Sequence, residues 1–348
     1  MQAELLGADS PAWTQVLARV PHDFHHLPGY ATLSAEFEGG AARALLVEDG
    51  ARGLLLPLVI RPVPGGALDA TSPYGYAGPL TWGDGGSAFE SASLQAGIEL
   101  LRAAGVVSLF IRLHPILNSA PPAGIGTLVN HGETVSIDLT QSNEALWAQT
   151  RLNHRRDIVR ATKAGRGALI DEDWVHFDTF ARLYRETMER LDAEDRHKFD
   201  EAYFHRLREV LGPSLTLWVV PYGDDIAAAG LFAETSGIVQ YHLSGTDVRY
   251  TRDGPTKLLL HGVRVWAKDR GDTVFHLGGG VGAADDSLLH FKAGFSDKRL
   301  PFHTLRVVVD EAEYVRLVTA ADPGGEAALD PADLTGFFPL YRKNGLPH

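Results

Sequence analysis

The chain has 348 residues, 45% hydrophobic and 22% charged, the make-up of an ordinary soluble globular protein with room for two domains. Its net charge of -12, from 32 basic and 44 acidic residues, excludes bulk attraction to nucleic acid or an anionic membrane, so any anion site must be a local basic patch. There is no cysteine, which excludes disulfides, thiolate metal sites and a cysteine nucleophile and fits a reducing compartment. Met1–Asp9 has neither a basic region nor a long apolar core, and no apolar run has the length of a membrane span. A cytoplasmic protein without a signal peptide is the expectation.

In the first half, a helix around Tyr30–Phe37 precedes two apolar strands, Ala44–Val47 and Gly53–Ile60. The Pro/Gly/Tyr segment Ser72–Pro79 reads as a loop, Ala88–Ala104 as a helix ended by Gly105, and Val107–Leu113 as a strand. Pro121–Gly124 reads as a loop. Thr140 or Ser142 opens a helix with Leu146 and Trp147, and a helical pattern resumes over Arg155–Lys163 until Gly165 and Gly167. Phe177, Phe180, Tyr184, Thr187 and Leu191 recur at three- and four-residue steps, an amphipathic helix. Phe204, Leu207 and Leu211 mark another, stopped by Gly212-Pro213. Strands follow at Leu215–Val220, Ile226–Ala233 and Ile238–Ser244, the first two joined by a hairpin signal. Gly254-Pro255 starts a helix that Gly271 ends, with Leu259, Val263 and Trp266 on one face. Strand Thr273–Leu277, a short helix bearing Lys292, strand Thr304–Val309 and a linker at Asp322–Gly325 complete the order. The aromatic segment Gly336–Arg342 packs back on the body.

Some residues stand out chemically. From His276 to Phe295 the chain runs from a strand end through Gly278, Gly279 and Gly280 into a helix that Asp285 or Asp286 caps. A lysine in that helix is a fixed cation beside a flexible turn, which suits acyl transfer, although most helix lysines are simply solvated. Six cations, Arg151, Arg155, Arg156, Arg160, Lys163 and Arg166, fall within sixteen residues, and Arg156, Arg160 and Lys163 share a helix face. They read as a phosphate clamp or as a solvated face paired with Asp171–Asp173. Tyr74 and Tyr76 sit in a Gly/Pro loop that can present two phenols to an acceptor or be a packed turn. His22, His25 and His26 have no second ligand set at metal spacing, so no metal is expected. Neither a G-x-S-x-G elbow nor a Walker loop occurs.

Segments Arg155–Gly165, Tyr241–Thr246, Leu277–Gly280 and Phe291–Phe295, with Ser72–Leu80 and Phe337–Arg342, resemble the FemABX-type transferases and their GNAT-superfamily relatives over nearly the whole chain. The resemblance implies an α/β (α+β) fold of two tandem GNAT-like domains, mixed and mostly antiparallel sheets flanked by helices. It puts residues 1–139 plus 321–348 in the first domain, with a C-terminal helix returning to it, and 140–320 in the second, which carries the donor cleft. It implies an N-acyltransferase moving an aminoacyl group from aminoacyl-tRNA to an amine of a peptidoglycan precursor. The alternatives are an acetyl-CoA-dependent N-acetyltransferase acting on a small amine or amino sugar, and a catalytically silent binding protein. Phe291 and Lys292 match the family's Phe-Lys pair at the acyl-donor site, where a cation stabilises the oxyanion or holds a donor phosphate. Tyr241, His242 and Ser244 match the strand that splays from its neighbour, and a hydroxyl or imidazole there could take the amine's proton. Strand alternation puts Tyr241 and His242 on opposite faces. Arg249–Thr256 departs from the Arg/Gln-x-x-Gly-x-Gly/Ala pyrophosphate turn, and Pro255 removes an amide donor, which favours the tRNA branch. The lysine that grips a nucleotide diphosphate in bridge transferases is replaced by Ser34 or Glu36, and Asp192–Asp200 reads as a loop in place of a long helical arm.

Overall fold

The computed structural model describes residues 1–118, 122, 124–191, 199–280, 286–322 and 330–343. Two compact units emerge, residues 1–131 with 301–348, and residues 132–300. The first begins with β1 (Gln2–Gly7), α1 (Pro11–Leu17), α2 (Pro28–Glu38), β2 (Ala41–Asp49), β3 (Arg52–Pro62), β4 (Leu68–Thr71), β5 (Leu80–Trp82), α3 (Gly86–Ala103) and β6 (Val106–Arg112). The chain leaves it within β7 (Thr127–Asp138) and continues with α4 (Asn143–Gln149), α5 (Leu152–Lys163), β8 (Leu169–Ile170), α6 (Phe177–Arg190) and α7 (Glu201–Leu211). Next come β9 (Leu215–Tyr222), β10 (Asp225–Thr235), β11 (Ile238–Thr246), α8 (Pro255–Arg270), β12 (Val274–Gly278) and α9 (Ser287–Lys292). It returns within β13 (Arg299–Val308) and adds α10 (Glu311–Ala321).

The two units repeat one sheet plan. Strand order in the first is β1-β2-β3-β4-β6-β13, with β5 also paired to β3; in the second it is β8-β9-β10-β11-β12-β7. Position by position the pairings match: antiparallel throughout except β4–β6 and β11–β12, which are parallel. A parallel pair needs a crossover, and each unit supplies it with its longest described helix, α3 of 18 residues or α8 of 16. The fold is therefore mixed α/β, with mostly antiparallel sheets and flanking helices.

Each sheet buries one face against its crossover helix. Leu45, Leu56, Leu109, Ile111 and Leu305 pack with Leu94, Ile98 and Leu101 of α3. In the second unit Phe232, Val239, Phe275 and Leu277 pack with Leu258, Leu259 and Val263 of α8. Gly254, left-handed at φ 69°, precedes Pro255 at the first turn of α8, so this boundary falls where the sequence puts it. Ser142 caps α4, its Oγ accepting from Ala145 N–H at 3.2 Å, whereas Thr140 belongs to the preceding Asp138 turn.

The sequence reading differs at several places. β1, α1, β4, β5, β7, β8 and α10 are additional elements. The return to the first unit comes at residue 301, not 321, because β13 pairs with β6 from Thr304–Arg112 to Val308–Ser108. The returning helix is α10, capped by Asp310; among the described residues beyond it, a 3-10 turn forms at Leu340–Arg342. That turn is anchored by Asp69, fully buried, which accepts from Arg61 Nε at 2.8 Å and Arg342 Nε at 2.5 Å. Phe338, Leu340 and Tyr341 pack there with Tyr314 and Leu317 of α10. Residues 121 and 123 of the first loop, 192–198 of the second and 323–325 of the linker lie outside the described residues.

Candidate active site

In the second unit β11 pairs with β12 from Ile238–Val274 to Gln240–His276, and among the described residues Tyr241 to Thr246 have no ladder partner on that side. On the other side the ladder to β10 steps from Leu231–Leu243 to Phe232–Tyr241, leaving His242 as an extra residue, a β-bulge. Regular alternation would put Tyr241 and Ser244 on opposite faces. The bulge resets it, and the two hydroxyls hydrogen-bond to one another. The Tyr241 ring stacks on Phe232 with centroids 5.5 Å apart, and burial pushes its phenol up, partly offset by the Ser244 bond. His242 is partly buried at the bulge.

Lys292 ends α9. Asp286 caps this helix, its Oδ1 accepting from Leu289 N–H at 2.8 Å, while Asp285 lies outside the described residues. The lysine is only 8% exposed, unlike the solvated lysines of most helices. Its Nζ donates to the Gly279 carbonyl at 2.7 Å and lies 5.5 Å from the centroid of the Tyr241 ring. Among the described residues it forms no ion pair. Burial pushes its ammonium down to about 8, with Asp286 opposing. Within the run Gly278–Gly280 it is thus the Gly279 carbonyl that meets the cation.

His154 of α5 seats this helix. Burial lowers it to about 4, so it is neutral near pH 7, and its Nε2 donates to the Phe291 carbonyl at 3.0 Å. Its ring packs 5.3 Å from Phe291 and 4.9 Å from Phe295. A Cβ on Gly294 would stand 2.4 Å from His154 Nε2, so only glycine permits this approach. Sequence alone does not single out His154; its place among the cations of α5 is the one signal there.

Arg156, Arg160 and Lys163 are all exposed on α5, as their spacing implies. They do not pair with Asp171–Asp173. Instead Asp157 lies 3.7 Å from Arg156 and 3.5 Å from Arg160, and binds Lys257 of α8 at 2.6 Å. Asp171 is spent on the backbone of Val175 and His176. Arg160 also reaches the Asp253 carbonyl at 3.4 Å, which brings the α5 cations to the turn before α8. In that turn Arg249 is held by Asp247 at 2.7 Å and Asp225 at 3.1 Å.

A family profile described as an acetyltransferase (GNAT) domain matches residues 148–292. This stretch is a GNAT acyltransferase domain. It runs from the end of α4 to Lys292 itself. Among solved structures the chain is similar to FemX, at 12% identity and TM-score 0.68, covering 91% of this chain and 99% of that one. It is also similar to the C-terminal domain of a provisional lysylphosphatidylglycerol synthetase from Agrobacterium fabrum, at 16% identity and TM-score 0.55, covering 89% and 95%. L-PGS from Bacillus licheniformis aligns at 15% identity and TM-score 0.54, covering 86% and 92%. No curated protein sequence matches the chain. The protein is an acyltransferase, FemABX-like in fold.

Outside the GNAT domain, the Tyr74–Gly78 loop of the first unit is packed rather than free. Gly75, at φ 99°, lies against the ring of His25, where a Cβ would stand 2.2 Å from Nε2. Tyr74 accepts a hydrogen bond at its carbonyl from the Tyr30 hydroxyl at 3.1 Å, and the Tyr76 ring lies 5.2 Å from Phe302. His25 belongs to a buried group with Asp23 and His114, which sequence spacing did not reveal because His114 is distant in the chain. The residue types would suit a transition metal, but the hydrogen bonds commit them otherwise. His114 Nδ1 accepts from the amides of Ile116 at 3.1 Å and Leu117 at 3.2 Å, so its Nε2 carries the proton and donates to Asp23 at 2.7 Å. His26 is spent likewise between the Asp23 amide and the Gly78 carbonyl. Burial opposes ionisation of Asp23, but the charge of His25 and the hydrogen bonds from His114 and His25 hold its carboxyl well below the usual range.

Proposed function

We propose that the protein transfers an aminoacyl group from aminoacyl-tRNA to an amine of a peptidoglycan precursor. The observation that carries this reading is Lys292, a buried cation that forms no ion pair among the described residues, facing Tyr241 where β11 and β12 separate. The amine nitrogen attacks the ester carbonyl, a C–N bond forms, and the carbonyl oxygen becomes an oxyanion. Lys292 stabilises that charge in a poorly solvated setting, where a fixed cation counts for most. Collapse breaks the C–O bond to the ribose, whose oxygen takes a proton as the nitrogen loses one. Tyr241, Ser244 and His242 line the cleft, and Phe291 borders the donor end. No covalent enzyme intermediate is needed.

Arg156, Arg160 and Lys163 supply the tRNA phosphate contact, an exposed basic face on an otherwise acidic chain. Acetyl-CoA is the second donor considered. Two observations weigh against it: Arg249 is engaged by two aspartates, and Pro255 occupies the first turn of α8, where a GNAT pyrophosphate site wants free amides. The likeness to FemX and to a domain named for a lysylphosphatidylglycerol synthetase supports an aminoacyl donor. The test is purified protein with labelled aminoacyl-tRNA or labelled acetyl-CoA, following label onto peptidoglycan precursors and small amines. Label from the tRNA is expected. Transfer from acetyl-CoA alone overturns the donor assignment, and transfer from neither favours a silent binding protein.

A further inference from the structure

The face of the first unit's sheet opposite α3 holds a cationic group that the transfer reaction does not use. Residues two apart on a strand share a face, so Phe110 and Arg112 of β6 lie with Phe302, Thr304 and Arg306 of β13. Thr304 stands directly opposite Arg112, and Arg306 opposite Phe110. The alternate residues Leu109, Ile111, Leu305 and Val307 are in the core against α3. His131 joins from β7, its Nε2 within 2.8 Å of Thr304 Oγ1 and its ring 5.5 Å from Phe302.

One end of this face is already covered. Arg306 donates to the carbonyls of Leu334 at 2.6 Å and Gly336 at 2.5 Å, and Phe338 stacks on Phe110. The other end is different. Arg112 spends Nη1 on Thr71 Oγ1 at 3.0 Å and the Ser72 carbonyl at 2.7 Å, and its guanidinium lies 4.8 Å from the Phe110 ring. Among the described residues its Nε and Nη2 have no hydrogen-bond partner and it forms no ion pair. The carboxylate with most influence on it, Glu38, is bound to Arg61 at 2.7 Å. His131 feels burial first and then the charges of Arg306, His303 and Arg112, which together lower it. A half-satisfied guanidinium among basic neighbours, with rings on its flank, is a fork lacking its oxyanion.

We propose that Arg112, His131 and Thr304, walled by Phe302 and Tyr76, bind the oxyanion of a small-molecule ligand, a phosphate or a carboxylate. The planar fork of Arg112 takes two oxygens, and the rings flank the ligand's adjoining part. The site does not depend on which donor the GNAT domain uses. Calorimetric titration of the full chain with inorganic pyrophosphate, and separately with acetate, at fixed ionic strength tests it. Saturable binding of pyrophosphate alone assigns a phosphate, and binding of acetate in competition with it assigns a carboxylate. Arg112→Gln should weaken binding at least about tenfold and Arg112→Lys less, since a lysine keeps charge but not the fork. In the wild-type protein the His131 imidazole resonances should shift on saturation, a readout independent of any variant's folding. No saturable binding of either anion, unmoved His131 resonances, or Arg112→Gln binding as tightly as wild type would each overturn the proposal.

Discussion

Replacing Lys292 with methionine should separate what this residue does for chemistry from what it costs the fold. Methionine keeps the length and removes the charge. Each tenfold change in proton affinity corresponds to about 1.4 kcal/mol, so the fall from 10.5 to about 8 corresponds to roughly 3 kcal/mol against the buried ammonium. The sign follows from proton counting. Between about 8 and 10.5 the unfolded chain holds the proton and the folded chain has released it, so stability rises with pH across that window. Below about 8 the folded state keeps the buried charge and the penalty is complete. Lys292→Met should therefore be at least as stable as wild type at pH 7, and should lack the alkaline gain of up to about 3 kcal/mol. Thermal or urea unfolding of both proteins from pH 7 to 10, read as a difference, isolates this one group from other titrations. Activity should fall by two orders of magnitude or more, as expected for losing one oxyanion-stabilising group. A clearly destabilised Lys292→Met protein with a flat difference curve and full activity would refute the reasoning.

Acid should act through the buried histidines: His154 and His261 are lowered by burial to about 4 and His26 to about 3, against an ordinary 6.5. Folded protein then binds fewer protons than unfolded below 6.5, so their contribution is full above 6.5 and is lost towards pH 4, which His154→Gln should blunt in unfolding scans. Arg342→Ala should cost about 3 kcal/mol in urea unfolding by leaving buried Asp69 half paired, and an unchanged midpoint would contradict that role. Exchanging Arg156, Arg160 and Lys163 for Gln should weaken tRNA binding and flatten its salt dependence, measured by filter binding at several ionic strengths. Arg249→Ala should leave transfer from aminoacyl-tRNA within about twofold, because its guanidinium is engaged by Asp247 and Asp225 rather than by a donor.

Elements with strong local signals were legible in the chain. Gly254-Pro255 marks the start of α8, Ser142 the start of α4, and the apolar runs before and after Tyr222 mark β9 and β10. β7 was not, since Gly132 interrupts it and its first half alternates exposed and partly buried residues, which resembles a loop. α10 was overlooked because the polar Asp310–Glu313 start follows a strand directly. At the site, the Phe291-Lys292 pair was visible as a motif, but its burial was not, because that depends on β12 and Tyr241 meeting α9. The His242 bulge is a register event between strands and leaves no mark in one strand's composition. Arg112, Thr304 and His131 meet only through strand pairing across distant segments.

The most direct test of the central claim is a rapid-quench turnover with labelled aminoacyl-tRNA and an amine-bearing peptidoglycan precursor, resolving free, protein-bound and amide-linked label. Label should pass straight from tRNA to an amide on the precursor, with none on the protein at any time and none transferred by Lys292→Met. Label accumulating covalently on the protein, or full transfer by the Lys292→Met variant, would contradict it.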